Sequence, residues 1–141
     1  MRLQLFDILG GLFGAGVILF LLFTLNDPPA LPQVSDDVAG TVRHVVDGDS
    51  IYVAGHDPQI RLWGVDAPER DEAGFSEATA TLTQLAKGKR VTCQQKDQDR
   101  YGRTVARCFL PNGQEINRVM IESGTAQEYV RFSRGFYSGD N

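Results

Sequence analysis

The apolar positions of this chain fall into two regimes. Ile8 to Leu25 is an uncharged run of 18 residues. As a helix rising 1.5 Å per residue it would span about 27 Å, close to the hydrocarbon thickness of a bilayer. Residues 26–38 hold three prolines and no helical period, which reads as a stiff, extended linker. Beyond them the pattern turns to short apolar runs broken by turn residues. Thr41–Val46, Ser50–Val53 and Gln59–Val65 read as three strands, with Asp47-Gly48-Asp49 and Ala54-Gly55 as punctuation. Phe75, Ala78, Leu82 and Leu85 then recur at helical spacing, with Ser76 as the expected N-cap and Gly88 as the stop. Arg90–Gln94 and Thr104–Leu110 read as two more strands. Glu115–Ser123 reads as a second helix, with Ile116, Val119 and Met120 on one face and Gly124 after it.

The element order β-β-β-α-β-β-α is that of a Greek-key OB barrel. The expected class is α+β, mainly β, with five strands and two helices behind an N-terminal transmembrane helix. The expected organisation is residues 1–25 as anchor, 26–38 as linker and 39–141 as one small domain.

The flanks of the apolar run suggest an orientation. Arg2 and the α-amino group precede it, Asp27, Asp36 and Asp37 follow it, and Leu25 to Gly40 holds no Lys or Arg. Cationic flanks stay cytoplasmic, so the domain is expected on the extracytoplasmic side, periplasmic or extracellular. The run exceeds the ~7–15 residues of a signal-peptide core, and no small-x-small site follows it. A retained signal-anchor, holding the membrane through residues 8–25, is therefore the first expectation. Cleavage and secretion is the second. Gly10 and Gly14 form a G-x-x-x-G pair, read either as a helix-packing motif or as small residues in an apolar helix.

Charge narrows the function classes. The whole chain carries a formal −4. Residues 1–30 contribute one Arg and two Asp, so the remainder still carries −3. A protein that holds nucleic acid by bulk charge is strongly basic. Any phosphate contact here has to come from a few local cations.

Cys93 and Cys108 lie symmetrically about Asp99–Gly102. If that segment is a hairpin turn, the two face each other across a strand pair. Outside the cytoplasm they are then a disulfide. The other reading is two buried thiols acting as small apolar residues.

Three segments carry chemistry: Asp47-Gly48-Asp49-Ser50, Arg61 to Glu69, and Asp99-Arg100-Tyr101-Gly102-Arg103. Singly, each is an ordinary turn or strand end. Jointly, they bring Asp47, Asp49, Asp66 and Glu69 to strand ends with Arg61 and Arg103. Carboxylate oxygens suit Ca²⁺ or Mg²⁺, and guanidinium forks suit phosphate.

In this order, with a helix between the second and third, the segments resemble the staphylococcal nuclease-like (thermonuclease) family from about Gly40 to Ala126. The resemblance implies Ca²⁺ held by Asp49, Asp66 and the backbone carbonyl of Ala67, with Asp47 close behind. Thr stands at the Ala67 position in the family's best-known member, a mild departure for a carbonyl ligand. It implies Glu69 as general base or as the group that orients the attacking water, Arg61 and Arg103 as phosphate and transition-state ligands, and Arg100 and Tyr101 as nucleotide-pocket residues. The implied reaction is hydrolysis of DNA or RNA to 3′-phosphate ends, with nucleic acid as substrate and no protein partner evident. The alternative is a catalytically inactive OB module that binds nucleic acid or a protein. Longer family members continue into a third helix. Here Tyr129, Phe132 and Tyr137 are expected either to stack on bases or to cap the barrel.

Overall fold

The computed structural model describes residues 36–139. The apolar run and residues 26–35 of the linker lie outside them. Among the described residues, no helix is long and apolar enough to cross a membrane.

Strands β1 (Val38–Asp47), β2 (Ser50–Val53), β3 (Ile60–Leu62), β5 (Arg90–Gln98) and β6 (Thr104–Phe109) close into a barrel in the order β1-β2-β3-β6-β5. All neighbouring pairs are antiparallel except β3 with β6. Alternation explains the core, since successive side chains point to opposite faces. Ile60 and Leu62 are buried while Arg61 between them faces outward, and Val91 and Cys93 are buried on β5. Helix α1 (Phe75–Ala86) lays Ala78, Leu82 and Ala86 onto the barrel, and α2 (Ile116–Glu122) adds Ile116 and Met120.

The expected barrel is present, with four corrections. The third strand does not run through to Val65. It stops at Leu62, turns at Trp63-Gly64, and resumes as β4 (Val65–Asp66), which pairs with β7 (Gln127–Glu128) in a separate two-stranded sheet. Gly64 permits the exit. Its φ is +71°, and a Cβ there would lie 3.0 Å from Ser133 Cβ and from a Tyr137 ring carbon. Second, a further short helix, α3 (Val130–Ser133), follows β7, so the described residues hold three helices. Third, α1 starts two residues early. Its N-cap is Gly74, whose carbonyl accepts from Ala78 N–H, and no side chain caps it, so Ser76 does not serve. Fourth, β1 begins at Val38, the last residue assigned to the linker.

Two polar constructions fasten the helices and tail. The buried Asn117 of α2 donates from Nδ2 to the carbonyls of Trp63 (2.9 Å) and Ala106 (3.1 Å), and its Oδ1 accepts from Cys108 N–H (2.9 Å). Farther along, Glu115 takes a two-pronged hydrogen bond from Arg107, both arms 2.8 Å, and a third from Tyr137 Oη at 2.6 Å. Burial pushes the Glu115 carboxyl up, but the bonds from Arg107 and Tyr137 outweigh it and hold its pKa below the usual 4.5. Phe136 and Tyr137 both pack against Trp63, closing the tail onto the barrel.

Cys93 and Cys108 stand opposite each other in the β5–β6 register and are joined as a disulfide. It closes a separation of 15 residues, worth roughly 3 kcal/mol in the chain-entropy model. Reducing the protein should therefore lower its melting temperature measurably, as followed by circular dichroism with and without a thiol. An unchanged melting temperature would show that the bridge adds nothing.

Candidate active site

The β1–β2 turn builds the innermost part of the site. Asp47 Oδ1 accepts from Asp49 N–H at 3.1 Å, closing a tight local loop. Gly48 has no room for a side chain, because a Cβ would meet Ala78 and Ala67 methyls at 2.6 and 2.7 Å. The turn is thus pressed against α1 and the 67–74 loop, and Asp49 is buried. Its Oδ1 accepts from Ser50 Oγ (2.8 Å) and Arg61 Nη1 (3.1 Å), and its Oδ2 from Ala67 N–H (3.3 Å). Burial nonetheless dominates and lifts the Asp49 pKa to about 6, with Arg61 pulling the other way.

Arg61 joins the second carboxylate to the first. Its Nη2 lies 4.0 Å from Asp66 Oδ1 and 3.5 Å from the Val65 carbonyl. Asp66 owes this position to the β3 exit, since pairing of β4 with β7 turns its half-exposed side chain outward. The two carboxylates therefore converge on one guanidinium.

The third segment is the β5–β6 connection. Asp99 organises it, accepting from the N–H groups of Tyr101 (2.9 Å) and Arg103 (3.0 Å) and from Arg103 Nε (2.6 Å). Burial raises the Asp99 carboxyl, but these bonds prevail and hold it below its usual 3.8. Sequence reasoning assigned Asp99 no role. The available clue was an Asp-x-x-x-Arg spacing across a Gly-containing turn. Tyr101 stands 70% exposed, with the guanidinium groups of Arg100 and Arg103 at 4.8 and 5.6 Å from its ring centre.

These pieces line one cleft of about 730 Å³. Arg61, Asp66, Glu69, Arg100, Tyr101 and Arg103 all face it. Tyr129 and Phe132 line it too, while Tyr137 is engaged with Trp63 and Glu115 instead. Asp47, Asp49 and Ala67 lie outside its lining; Asp49 is behind Arg61. Asp66 and Glu69 also line a second, neighbouring cleft of about 560 Å³, together with Glu72 and Glu77. The Glu69 backbone is held by Glu72, whose Oε2 accepts its N–H at 2.8 Å.

The donor set suits a hard divalent cation. Asp49, Asp66 and the Ala67 carbonyl offer oxygen alone. A cation beside Asp49 would also offset the burial that disfavours its ionised form. Among the described residues no three Asp, Glu, His or Cys side chains form a group that could hold a metal ion.

Comparison with known proteins bears on this geometry. The model of the staphylococcal nuclease homologue family matches residues 59–139, more than half the chain. The chain belongs to that family. Within the family it is 34% identical over 104 residues to an uncharacterized endonuclease of Escherichia coli O157:H7, covering 72% of this chain and 68% of the relative. It is 35% identical over 108 residues to a micrococcal nuclease of Shigella flexneri, covering 70% and 62%. A succinoglycan biosynthesis protein, ExoI, of Rhizobium meliloti (strain 1021) is 33% identical over 134 residues, covering 87% and 66%. The chain thus spans roughly two thirds of the length of these relatives.

Proposed function

We propose that this nuclease-family chain is a Ca²⁺-dependent phosphodiesterase that hydrolyses DNA, RNA or both to 3′-phosphate ends outside the cytoplasm. The nuclease class follows from family membership. The observation that carries the finer reading is convergence: Arg61, Asp66, Glu69 and Arg103 face one cleft from two separate stretches of chain, with Asp49 of a third behind Arg61.

Asp49, Asp66 and the Ala67 carbonyl are the proposed ligands, with Asp47 holding the turn that presents Asp49. When bound, Ca²⁺ would supply positive charge at the phosphate's non-bridging oxygens. Arg61 holds the phosphate from the same side, tied to Asp49. Arg103, held by Asp99, stabilises the charge that builds up in the transition state. Glu69 takes the proton from the attacking water. Arg100 and Tyr101 hold the adjoining nucleotide.

Residues 8–25 are proposed to tether the enzyme to the membrane, with the domain on the extracytoplasmic face. The uncharged run and its flanks support this, and a disulfide at Cys93–Cys108 suits an oxidising compartment. Cleavage and secretion is the second possibility.

The full-length chain should degrade single-stranded DNA or RNA with Ca²⁺, leave 3′-phosphate ends, and stop with chelator. Persistent cleavage in excess chelator would overturn the metal dependence. No cleavage of any nucleic acid with Ca²⁺ would overturn the activity.

A further inference from the structure

We propose that Arg131 is a second phosphate-binding residue, gripping the strand one or more phosphates away from the one that is cut. This rests on the nuclease reading of the same cleft and extends it along the substrate.

Arg131 is solvent-exposed on α3 and lines the cleft that holds Arg61 and Arg103. Among the described residues it has no carboxylate within ion-pair distance, whereas Arg61 is tied to Asp49 and Arg103 to Asp99. Its neighbourhood also has the right character. The exposed large apolar side chains among the described residues are Tyr101, Val130 and Phe132, and Tyr101 and Phe132 both face this cleft. One comes from the β5–β6 connection and the other from α3. Bare aromatic faces beside cations are what an unpaired strand requires, since bases stack and phosphates pair.

Placement of α3 is built into the fold. Pairing of β7 with β4 brings the chain back beside Asp66, and Tyr129 N–H donates to the Gly64 carbonyl at 2.8 Å. Tyr129 and Phe132 pack edge to face within α3's first turn. Arg131 is thereby fixed to the wall of the cleft rather than to a loose tail. Overall charge gives the feature its weight. A chain of formal charge −4 has no diffuse cationic field to retain a polyanion. Four arginines line the cleft, Arg61, Arg100, Arg103 and Arg131, against the carboxylates of Asp66, Glu69, Asp97 and Asp99, so attraction for a phosphate comes from single guanidinium groups that no carboxylate among the described residues holds, as at Arg131.

The test uses the full-length chain and its Arg131→Ala and Arg131→Lys variants. The substrates are a ten-residue oligothymidylate and the dinucleoside monophosphate TpT, which has a single phosphodiester. Arg131→Ala should raise KM for the decamer by about tenfold with kcat within about twofold, and leave KM for TpT unchanged. The slope of log KM against log salt should fall by about 0.7, the value for one lost contact to a single strand. Arg131→Lys should recover most of the loss. An unchanged decamer KM, or equal losses on both substrates, would overturn the proposal. Binding of a fluorescein-labelled decamer, read by anisotropy, separates the two levels. If wild-type protein cleaves nothing yet Arg131→Ala still weakens binding, the nuclease reading fails and the Arg131 contact stands. If anisotropy shows equal affinity for both proteins, the contact fails.

Discussion

Glu69→Gln should lower kcat by about 10²- to 10⁴-fold, the range typical of a removed general base, and leave the fold intact. Glu69 lies in the exposed loop after β4, and among the described residues its carboxylate makes no hydrogen bond or ion pair; the contact to Glu72 is through its backbone. Substitution therefore removes no structural interaction, and stability should stay within about 0.5 kcal/mol. Gln keeps the size and can still hydrogen-bond a water, but it cannot accept a proton. The phosphate ligands Arg61 and Arg103 are untouched, so KM should change little. Steady-state kinetics alongside a thermal melt separate the two effects. A variant that turns over at near the wild-type rate would remove Glu69 from the mechanism and leave the cleft without an assigned base.

Local features were the legible ones. Asp47-Gly48-Asp49 announced a tight turn because its chemistry is confined to four residues, and the structure keeps it as the β1–β2 connection. The cysteines were legible for the same reason, lying at equal distances from a turn that forms between Asp99 and Arg103. The third strand was misread because its interruption is caused from far away. Gln59 to Val65 alternates acceptably for a strand, but Val65 and Asp66 pair with Gln127 and Glu128, some sixty residues on. That remote pairing also sets where Asp66 points. Arg131 was invisible for a related reason. It becomes part of the cleft only because β7 returns the chain to β4, and its neighbours read simply as a tail rich in aromatic residues.

The same logic isolates Asn117, which looks in sequence like one polar residue in a helical stretch. Asn117→Leu should destabilise the domain by about 3–5 kcal/mol. Leu keeps the branched outline of Asn, but its methyls are bulkier than the amide oxygen and nitrogen, so some overpacking at this buried site comes on top of the polar loss. The polar loss comes from buried groups left without partners, each costing about 1–3 kcal/mol. Cys108 N–H loses its acceptor, and the Trp63 carbonyl loses its donor. The Ala106 carbonyl fares better, since it also accepts from Trp63 N–H at 2.8 Å. At roughly 4–8 °C per kcal/mol for a domain of this size, the melting temperature should fall by at least about 12 °C. Glu122→Ala on the exposed face of the same helix is the control, with an expected change within about 0.5 kcal/mol. Activity should suffer beyond the loss of folded protein. The carbonyl that Asn117 holds belongs to Trp63, where the chain leaves the barrel toward Asp66. Freeing it loosens the segment that sets one proposed metal ligand against Arg61. A loss below about 1 kcal/mol in urea unfolding would mean that these carbonyls find water or other partners, and that the helix is held by its apolar face alone.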